Sequence, residues 1–194
     1  KVAYIEGEAS ISKDLNVKVN NETYQGKDII LATGSKPFVP PIEGLDNVDY
    51  ETTDTFFDLK QLPKQLAVIG GGVIATELAS SMADLGVNVT IVEVADDILL
   101  TEIDDTRELL KSHLENQDIN IITKAKIKTI DQTKIVLDGQ DDVSFDTLLV
   151  ATGRQPNTQV AKDLNLEMDG KFFKVDDHYQ TSQKHVYAIG DLVK

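Results

Sequence analysis

A glycine-rich turn and two acidic residues are the parts of this sequence whose types and spacing could bind a ligand. The turn has the pattern Gly70-x-Gly72-x-x-Ala75, and Glu93 follows Gly72 by 21 positions. Glycine lets main-chain amides come close to an anion, while a carboxylate accepts hydrogen bonds from neighbouring hydroxyl groups. Asp191, beside Gly190, is the second acid that follows an apolar run and a glycine. The turn and Glu93 predict a site for a diphosphate joined to a sugar.

The residues around the turn predict a strand, a helix and a second strand. Leu66 to Ile69 has the composition of a buried strand, Gly86 ends the helix, and Val87 to Val92 is a β-branched strand that leads into Glu93. The apolar face of the helix repeats at Ile74, Leu78, Met82 and Leu85. This β-α-β pattern is typical of dinucleotide-binding domains, although a glycine-rich turn of an ordinary α/β domain is the alternative.

Each position of the turn then has a distinct role. Gly70 would allow a tight turn, Gly72 would let the main chain approach a pyrophosphate, and Ala75 would let the helix pack on the strand. The amides at the helix start would face the phosphates, which the helix dipole favours. Glu93 stands where an acid binds the hydroxyl groups of an adenosine ribose.

The residues after Glu93 predict that NADH is preferred over NADPH. Val94, Ala95, Asp96 and Asp97 include no base that could pair with a 2′-phosphate, and they add two acids that would repel it.

Composition excludes some partners. The 194 residues carry a net charge of −14, which argues against nucleic acid and anionic membranes as partners. No apolar run approaches the length of about 20 residues that spans a bilayer. The absence of cysteine is consistent with a cytoplasmic protein and removes thiol chemistry from this chain. Since Lys1 begins within an apparent strand, we expect a fragment of a longer protein.

Two segments of the chain resemble each other. Ile30 to Pro37 reads Ile-Leu-Ala-Thr-Gly-Ser-Lys-Pro, and Leu149 to Pro156 reads Leu-Val-Ala-Thr-Gly-Arg-Gln-Pro. Small residues at the end of a strand let a ligand approach the main chain, and the proline then turns the chain away. We interpret the pair as two crossings between one domain and another, with chance similarity of two buried strands as the alternative.

The other elements complete a sheet of the α/β class. An antiparallel meander is expected over Val2–Ile5, Leu15–Val19 and Asn21–Tyr24, followed by a strand over 27–32, a proline-rich linker and a short helix over 54–59. After Glu93 we expect a helix over 104–117, a strand over 119–122, a hairpin over 126–130 and 134–137, and a strand over 146–151. This β-α-β-α-β order predicts right-handed crossovers and a parallel sheet.

The remaining polar residues suggest little further chemistry. Asp191 could accept hydrogen bonds from ligand hydroxyls, or it could be a turn aspartate that begins a helix. His113, His178 and His185 have no partner at the spacing of metal ligands, so no metal site is expected.

Taken together, these segments resemble the pyridine nucleotide–disulfide oxidoreductases. The matching stretches, which extend over the whole chain, are Ala32-Thr33-Gly34-Ser35, Gly70 to Glu77, Glu93, Ala151 to Asn157 and Tyr187 to Asp191. The stretch from Thr52 to Pro63 resembles the dihydrolipoamide dehydrogenase and mercuric reductase branch more than the coenzyme A disulfide reductase branch.

The resemblance implies a three-layer Rossmann-like NAD(P)-binding domain inserted in a partial FAD-binding domain. Residues 1–62 would belong to the FAD domain, 63–152 would form the NAD domain, and 153–194 would return to the FAD domain. The implied NAD-binding residues are Gly70, Gly71, Gly72, Val73, Ile74, Glu77, Glu93 and Gly153, with Glu77 at the nicotinamide end. The implied FAD-binding residues are Thr33, Gly34, Arg154, Gly190 and Asp191.

The resemblance also implies an activity for the full-length protein. It would transfer hydride between NADH and FAD, act on a lipoyl or other disulfide substrate or a small molecule, and form a homodimer. The redox-active cysteine pair and the acid–base residues of the family are not in these residues, so no catalytic residue is assigned and the fragment alone is expected to be inactive. A non-catalytic NADH-binding module and a flavoprotein reductase of a non-disulfide acceptor are the alternatives.

Overall fold

The computed structural model describes residues 2–194, which form two compact units. The central unit comprises Pro37–Gly153, and the split unit comprises the described residues up to Lys36 together with Arg154–Lys194. The strands are β1 (Ala9–Ile11), β2 (Val17–Val19), β3 (Glu22–Tyr24), β4 (Ile29–Leu31), β5 (Ser35–Pro37), β6 (Glu51–Thr52), β7 (Gln65–Ile69), β8 (Asn88–Val92), β9 (Asn120–Ile122), β10 (Ile127–Ile130), β11 (Lys134–Leu137), β12 (Val143–Ser144), β13 (Thr147–Val150), β14 (Arg154–Pro156), β15 (Met168–Asp169), β16 (Phe172–Phe173) and β17 (Val186–Ala188). The α-helices are α1 (Val73–Asp84) and α2 (Asp104–Asn116), and 3-10 helices cover Leu45–Asn47, Phe56–Asp58, Thr158–Leu164 and Gly190–Leu192.

The central unit is built on a five-stranded sheet in the order β6-β13-β7-β8-β9. All four neighbouring pairs in it are parallel. The chain runs β7-α1-β8-α2-β9 and returns through an antiparallel β10-β11-β12 sheet to β13. This arrangement confirms the predicted α/β class with a parallel sheet. The edge strand β6 and the third strand β12 of the insertion are additions to the prediction.

Alternating side chains of the parallel strands give the central unit its layers. Along β7, Leu66 and Val68 join the core beneath α1, while Ala67 and Ile69 join the core beneath the antiparallel sheet. All four are fully buried or nearly so, because a parallel sheet covered on both faces has apolar residues at every position. Each buried leucine or valine contributes about 1.5–3 kcal/mol.

The split unit has an antiparallel sheet β1-β2-β3 and a parallel pair of β4 and β17. Its core includes Ile11, Leu31, Phe173 and Val186. The prediction of a strand over Val2–Ile5 is wrong, since the first strand of the meander is β1. The side chains of the earlier segment bury too little area to hold a strand in the sheet, for Val2 is fully exposed whereas Ile11 is buried.

The contacts place the unit boundaries differently from the sequence-based division. The first boundary falls after Lys36 rather than after residue 62, and the second falls after Gly153 rather than after residue 152. The reason is that Leu45 and Val48, which the sequence-based division assigned to the FAD domain, are buried in a core of the central unit. The assignment of the units to FAD and NAD stays a prediction.

Smaller differences concern the ends of elements. The expected helix over 54–59 is a short 3-10 helix, Phe56–Asp58, in which Phe56 is buried. The other predicted strands and helices of the central unit begin or end within one or two residues of their predicted bounds. None of the helices in residues 2–194 is both long and apolar enough to cross a lipid bilayer.

Candidate functional site

Four parallel strands of the central unit end at the same edge of the sheet. Ile69, at the end of β7, lies opposite Val92 of β8 and Val150 of β13, and Val150 lies opposite Thr52 of β6. The residues that follow these strands, namely Thr53, Gly70, Glu93 and Ala151, all line one cavity of about 680 Å³. Ligands of open α/β sheets bind at this carboxyl edge, where the order of strands reverses, and the volume suits a cofactor-sized molecule.

Gly70 makes the turn that opens the cavity. Its amide donates to the carbonyl oxygen of Val92 at 3.0 Å, which continues the sheet by one bond. Its φ of +112° is unfavourable for other residues, and a Cβ at this position would lie 2.5 Å from the carbonyl oxygen of Ala151. The tight turn predicted at position 70 therefore requires glycine, because Ala151, which follows β13, comes so close to it.

The amino end of α1 is open to the cavity. The first intrahelical bond runs from the Thr76 amide to the Gly72 carbonyl at 3.0 Å, and no side chain caps the helix. The preceding amides therefore have no intrahelical acceptor, as at every helix start. A Cβ at Gly72 would meet no atom within 4 Å, so the space above this residue is clear. Val73 and Ile74, which are 44% and 40% exposed, line the same cavity.

Main-chain amides hold the carboxylate of Glu93. Its Oε2 accepts a hydrogen bond from the Gly71 amide at 2.5 Å, and its Oε1 accepts one from the Ala95 amide at 2.7 Å. The side chain is half-buried. Each carboxylate oxygen can accept a second hydrogen bond, so the group is oriented and still able to bind a hydroxyl.

Gly71 contributes to the site differently from its neighbours. Its amide is bound to Glu93, and its carbonyl accepts the Leu99 amide at 2.7 Å. A Cβ at Gly71 would lie 2.7 Å from Cγ2 of Ile98. Gly71 lines the cavity but donates its amide to the carboxylate, so the amides left to face an anion begin at Gly72.

The acids that follow Glu93 have basic partners that the local sequence does not reveal. Lys124 Nζ lies 3.8 Å from Asp96 Oδ1, and Lys111 Nζ lies 2.8 Å from Asp97 Oδ1. The hydrogen bond from Lys111 holds the pKa of Asp97 below its ordinary value, with smaller contributions from the Ile98 amide and from Arg107. Both of these lysines are therefore paired with an acid of the segment that follows Glu93.

The second Ala-Thr-Gly segment forms another wall of the cavity. Gly153, Thr152 and Ala151 all line it. Thr152 Oγ1 donates to the carbonyl oxygen of Phe38 at 2.7 Å, and the Phe38 amide donates to the carbonyl oxygen of Gly153 at 2.9 Å. The two ends of the central unit are thus bonded to each other beside the cavity.

Glu77 does not line this cavity. It is exposed on α1, where it lines a separate depression of about 730 Å³ together with His113 of α2. Val73 lines both spaces. The role expected for Glu77 at the nicotinamide end stays a prediction.

In the split unit, Ser35 joins two of the expected FAD-binding residues. Ser35 Oγ donates to Asp191 Oδ2 at 2.6 Å and accepts from Arg154 Nε at 2.7 Å. Arg154 Nη2 also donates to the Ser35 carbonyl at 2.8 Å. These three residues and Gly190, with φ +66°, line a depression of about 310 Å³. Asp191 is the second residue of the 3-10 helix Gly190–Leu192, which no side chain caps, and it lines this depression. Whether it binds a ligand or is only a turn aspartate stays a prediction.

Thr33 and Gly34 lie outside that depression and bind Asn157 instead. Thr33 Oγ1 donates to the Asn157 carbonyl at 2.8 Å, and Asn157 Nδ2 donates to the Thr33 carbonyl at 2.9 Å. The Asn157 amide donates to the Gly34 carbonyl at 2.9 Å. The resemblance between the two Ala-Thr-Gly segments therefore has a structural counterpart in the split unit, where their continuations are bonded together.

Several residues that line the large cavity were not predicted. They are Phe38, Pro40, Ile42, Thr53, Val94 and Ile127. Most come from the segment read as a linker and from the antiparallel insertion, and no local pattern distinguishes them from ordinary core residues. Within residues 2–194, no group of three or more His, Cys, Asp or Glu side chains is arranged to hold a metal ion.

Comparison with known proteins identifies related sequences over the whole chain. The sequence profile of the family described as "Pyridine nucleotide-disulphide oxidoreductase" matches residues 1–194. The chain is 37% identical to a mercuric reductase of Staphylococcus aureus over 97% of its own length and 36% of that protein. It is 37% identical to a dihydrolipoyl dehydrogenase of Acholeplasma laidlawii over 96% of its own length and 57% of that protein.

Solved structures of flavoprotein reductases also resemble this chain over most of its length. The HOCl-induced flavoprotein disulfide reductase RclA from Escherichia coli matches with a TM-score of 0.86 and 29% identity, over 97% of this chain and 45% of that one. A Bacillus anthracis CoADR-RHD structure matches with a TM-score of 0.82. The chain spans about a third to three fifths of the length of the curated relatives, among which are mercuric reductases, dihydrolipoyl dehydrogenases and a glutathione reductase.

Proposed function

Because this chain belongs to the pyridine nucleotide–disulfide oxidoreductase family, we propose that its central unit binds NADH for hydride transfer to FAD in the whole protein. The cavity at the carboxyl edge of the parallel sheet is the binding site. The observation that carries this proposal is the Glu93 carboxylate, which two main-chain amides hold beside an uncapped helix start.

The residues present fit a dinucleotide. The clear space above Gly72 and the amides at the start of α1 suit a pyrophosphate, which the helix dipole also favours. A Cβ at position 70 would lie 2.5 Å from the carbonyl oxygen of Ala151, so this position of the turn requires glycine. The exposed apolar side chains of Val73, Ile74 and Val94 line the same cavity and provide apolar contact area.

Glu93 favours NADH over NADPH in this proposal. Its carboxylate would accept hydrogen bonds from the ribose hydroxyls, and a 2′-phosphate there would meet a negative charge. Lys124 is a base beside the following loop, and its Nζ lies 3.8 Å from Asp96 Oδ1. The pairing leaves less positive charge for a phosphate, although both side chains are exposed and the ion pair is weak.

The split unit would hold part of the FAD. Asp191 and Arg154, joined through Ser35, would bind polar groups of the flavin cofactor, and Gly190 would give them room. Bound FAD would supply the chemistry of hydride acceptance from NADH. The chain's own part is to bind, to orient and to place charge, with Glu77 proposed to position the nicotinamide amide.

The identity of the final electron acceptor stays a proposal. A disulfide is the acceptor that the family description implies, whereas the mercuric reductase relatives favour the alternative of a non-disulfide acceptor. A non-catalytic NADH-binding module is the other alternative. That the whole protein is a cytoplasmic homodimer also stays a prediction.

Calorimetric titration of the 194-residue chain with NADH and with NADPH tests the binding proposal. We expect NADH to bind more tightly, and Glu93→Gln to weaken NADH by about 1–3 kcal/mol through the lost charged hydrogen bonds. The matched control is Glu108→Gln, which changes an exposed acid of α2 that lines no part of the cavity. Equal affinity for the two cofactors would overturn the preference, and an unchanged affinity of Glu93→Gln would remove this residue from the site.

A further inference from the structure

We infer that Asp97 is a positioning residue that braces the glycine turn from α2 through the segment 97–99. The inference rests on the proposed NADH site for its functional consequence, but the brace itself is a property of the free chain. Asp97 does not line the cavity, and its effect would pass through Ile98, Leu99 and Gly71.

The carboxylate of Asp97 is held by two bases of α2. Lys111 Nζ donates to Oδ1 at 2.8 Å, and Arg107 Nε lies 3.6 Å from Oδ2. The Arg107 side chain is 19% exposed, and its Nη2 binds Asp104 at 2.7 Å. Asp97 is 27% exposed and Lys111 31%, so these charges are only partly screened by water. The carboxylate is therefore fixed to the helix by charge-assisted contacts.

The same carboxylate fixes the start of the segment that touches the turn. Asp97 Oδ1 also accepts the Ile98 amide at 3.0 Å. Ile98 is fully buried, and a Cβ at Gly71 would lie 2.7 Å from its Cγ2. Leu99 has a φ of +53°, an unfavourable conformation for leucine that persists only where surrounding contacts hold it.

This segment bonds directly to the turn. The Leu99 amide donates to the Gly71 carbonyl at 2.7 Å, and the Gly71 amide donates to Glu93 Oε2 at 2.5 Å. A change at Asp97 would therefore alter the peptide groups on either side of Gly71 and, through them, the carboxylate of Glu93. The sequence alone predicted only that Asp97 would repel a 2′-phosphate. Its contacts make it a support that holds the segment 97–99 against the glycine turn.

The test uses Asp97→Asn, Lys111→Met, the double variant and the control Asp105→Asn, an exposed acid of the same helix as Lys111. Amide hydrogen exchange of the free chain is measured by NMR at Gly71, Leu99 and the β7 residues. We expect Asp97→Asn and Lys111→Met each to accelerate exchange at Gly71 and Leu99 by about tenfold, with β7 unchanged, as for loss of one charge-assisted hydrogen bond. Exchange at Gly71 and Leu99 should be only slightly faster in the double variant than in either single variant, because both substitutions break the same contact between Lys111 and Asp97.

NADH affinity supplies the second readout. We expect Asp97→Asn to weaken NADH by about fivefold while lowering the melting temperature by at most about 4 °C, and Asp105→Asn to leave the affinity as it is. Equal acceleration at all central-unit amides would show a merely structural role and overturn the inference, as would unchanged exchange at Leu99. Faster exchange with unchanged NADH affinity would also overturn it as a positioning role. If the unsubstituted chain fails to bind NADH, the proposed function fails, and the exchange data still decide whether the brace exists.

Discussion

Glu93 and Asp191 each come shortly after a parallel strand and line a depression, but different parts of the chain hold the two carboxylates. Glu93 is held by the amides of Gly71 and Ala95, one from the adjacent turn and one from two residues further on. Asp191 is held by the hydroxyl of Ser35, which lies 156 positions away in sequence. Arg154 fixes that hydroxyl in turn.

The difference explains why one acid was easier to interpret than the other. Main-chain amides are present whatever the side chains are, so a β-α-β unit with a glycine turn places its acid by backbone geometry alone. A side-chain anchor depends on a residue that the fold brings from elsewhere. The role of Asp191 consequently stayed open between a ligand-binding acid and a turn aspartate, and Ser35 was not foreseen as its partner.

The largest expected effect is on stability, and it distinguishes two glycines of the turn that binds Glu93. Gly70→Ala should destabilise the central unit by about 3 kcal/mol, because of its φ of +112° and the collision with Ala151. Gly72→Ala should leave stability within about 0.5 kcal/mol, since its Cβ enters clear space, and should still weaken NADH. Urea denaturation and NADH titration measure the two effects. Similar stability losses in both variants would contradict the geometry described for the turn.

The next effect concerns Glu77, an acid on α1 outside the cavity. In the whole protein, Glu77→Ala should slow flavin reduction by NADH by about tenfold, because the nicotinamide would lose a positioning contact, with little change in adenine-end binding. Stopped-flow absorbance of the flavin measures the rate, and Glu108→Gln is the control. An unchanged rate would confine the nicotinamide site to residues lining the cavity.

A smaller effect tests Ser35, whose hydroxyl holds the Asp191 carboxylate in the split unit. Ser35→Ala should lower flavin affinity of the whole protein about threefold to tenfold, because Asp191 loses a hydrogen bond of 2.6 Å and Arg154 loses an acceptor. The flavin content after dialysis, read from its absorbance, measures the loss. Ser35→Thr keeps the hydroxyl and should retain more flavin. Equal flavin retention by the unsubstituted protein and Ser35→Ala would show that this anchor is dispensable.

The smallest effect is a pH dependence of a carboxylate held by cations. Because the pKa of Asp97 is lowered, its ion pair contributes stability that is present above the ordinary aspartate pKa of about 3.9 and is lost as pH falls through the lower folded value. The stability difference between the unsubstituted chain and Asp97→Asn should be under about 1 kcal/mol at pH 6 and should shrink below pH 4. Urea midpoints at several pH values measure it, and a difference that grows in acid would contradict the sign.

Much of the central unit was predictable because its signals are local. The apolar runs of β7, β8 and β13 and the helical period of α1 each lie within a few residues, so their burial on both faces of the sheet was expected. The meander was less predictable at its start, since Val2–Ile5 has the composition of a strand but lies exposed. The short strand β6 has no pattern of its own, and only pairing with β13 makes it a strand.

The sequence by itself determined the β-α-β unit, the glycine turn and the position of Glu93 after its strand, because chain geometry over some 20 residues is enough to set them. Only the tertiary structure decided that Phe38 and Ile127 line the cavity, that Asp97 binds α2 and that Ser35 lies between Arg154 and Asp191. These contacts join residues far apart in the chain, and their formation depends on how sheets and loops pack rather than on any local pattern.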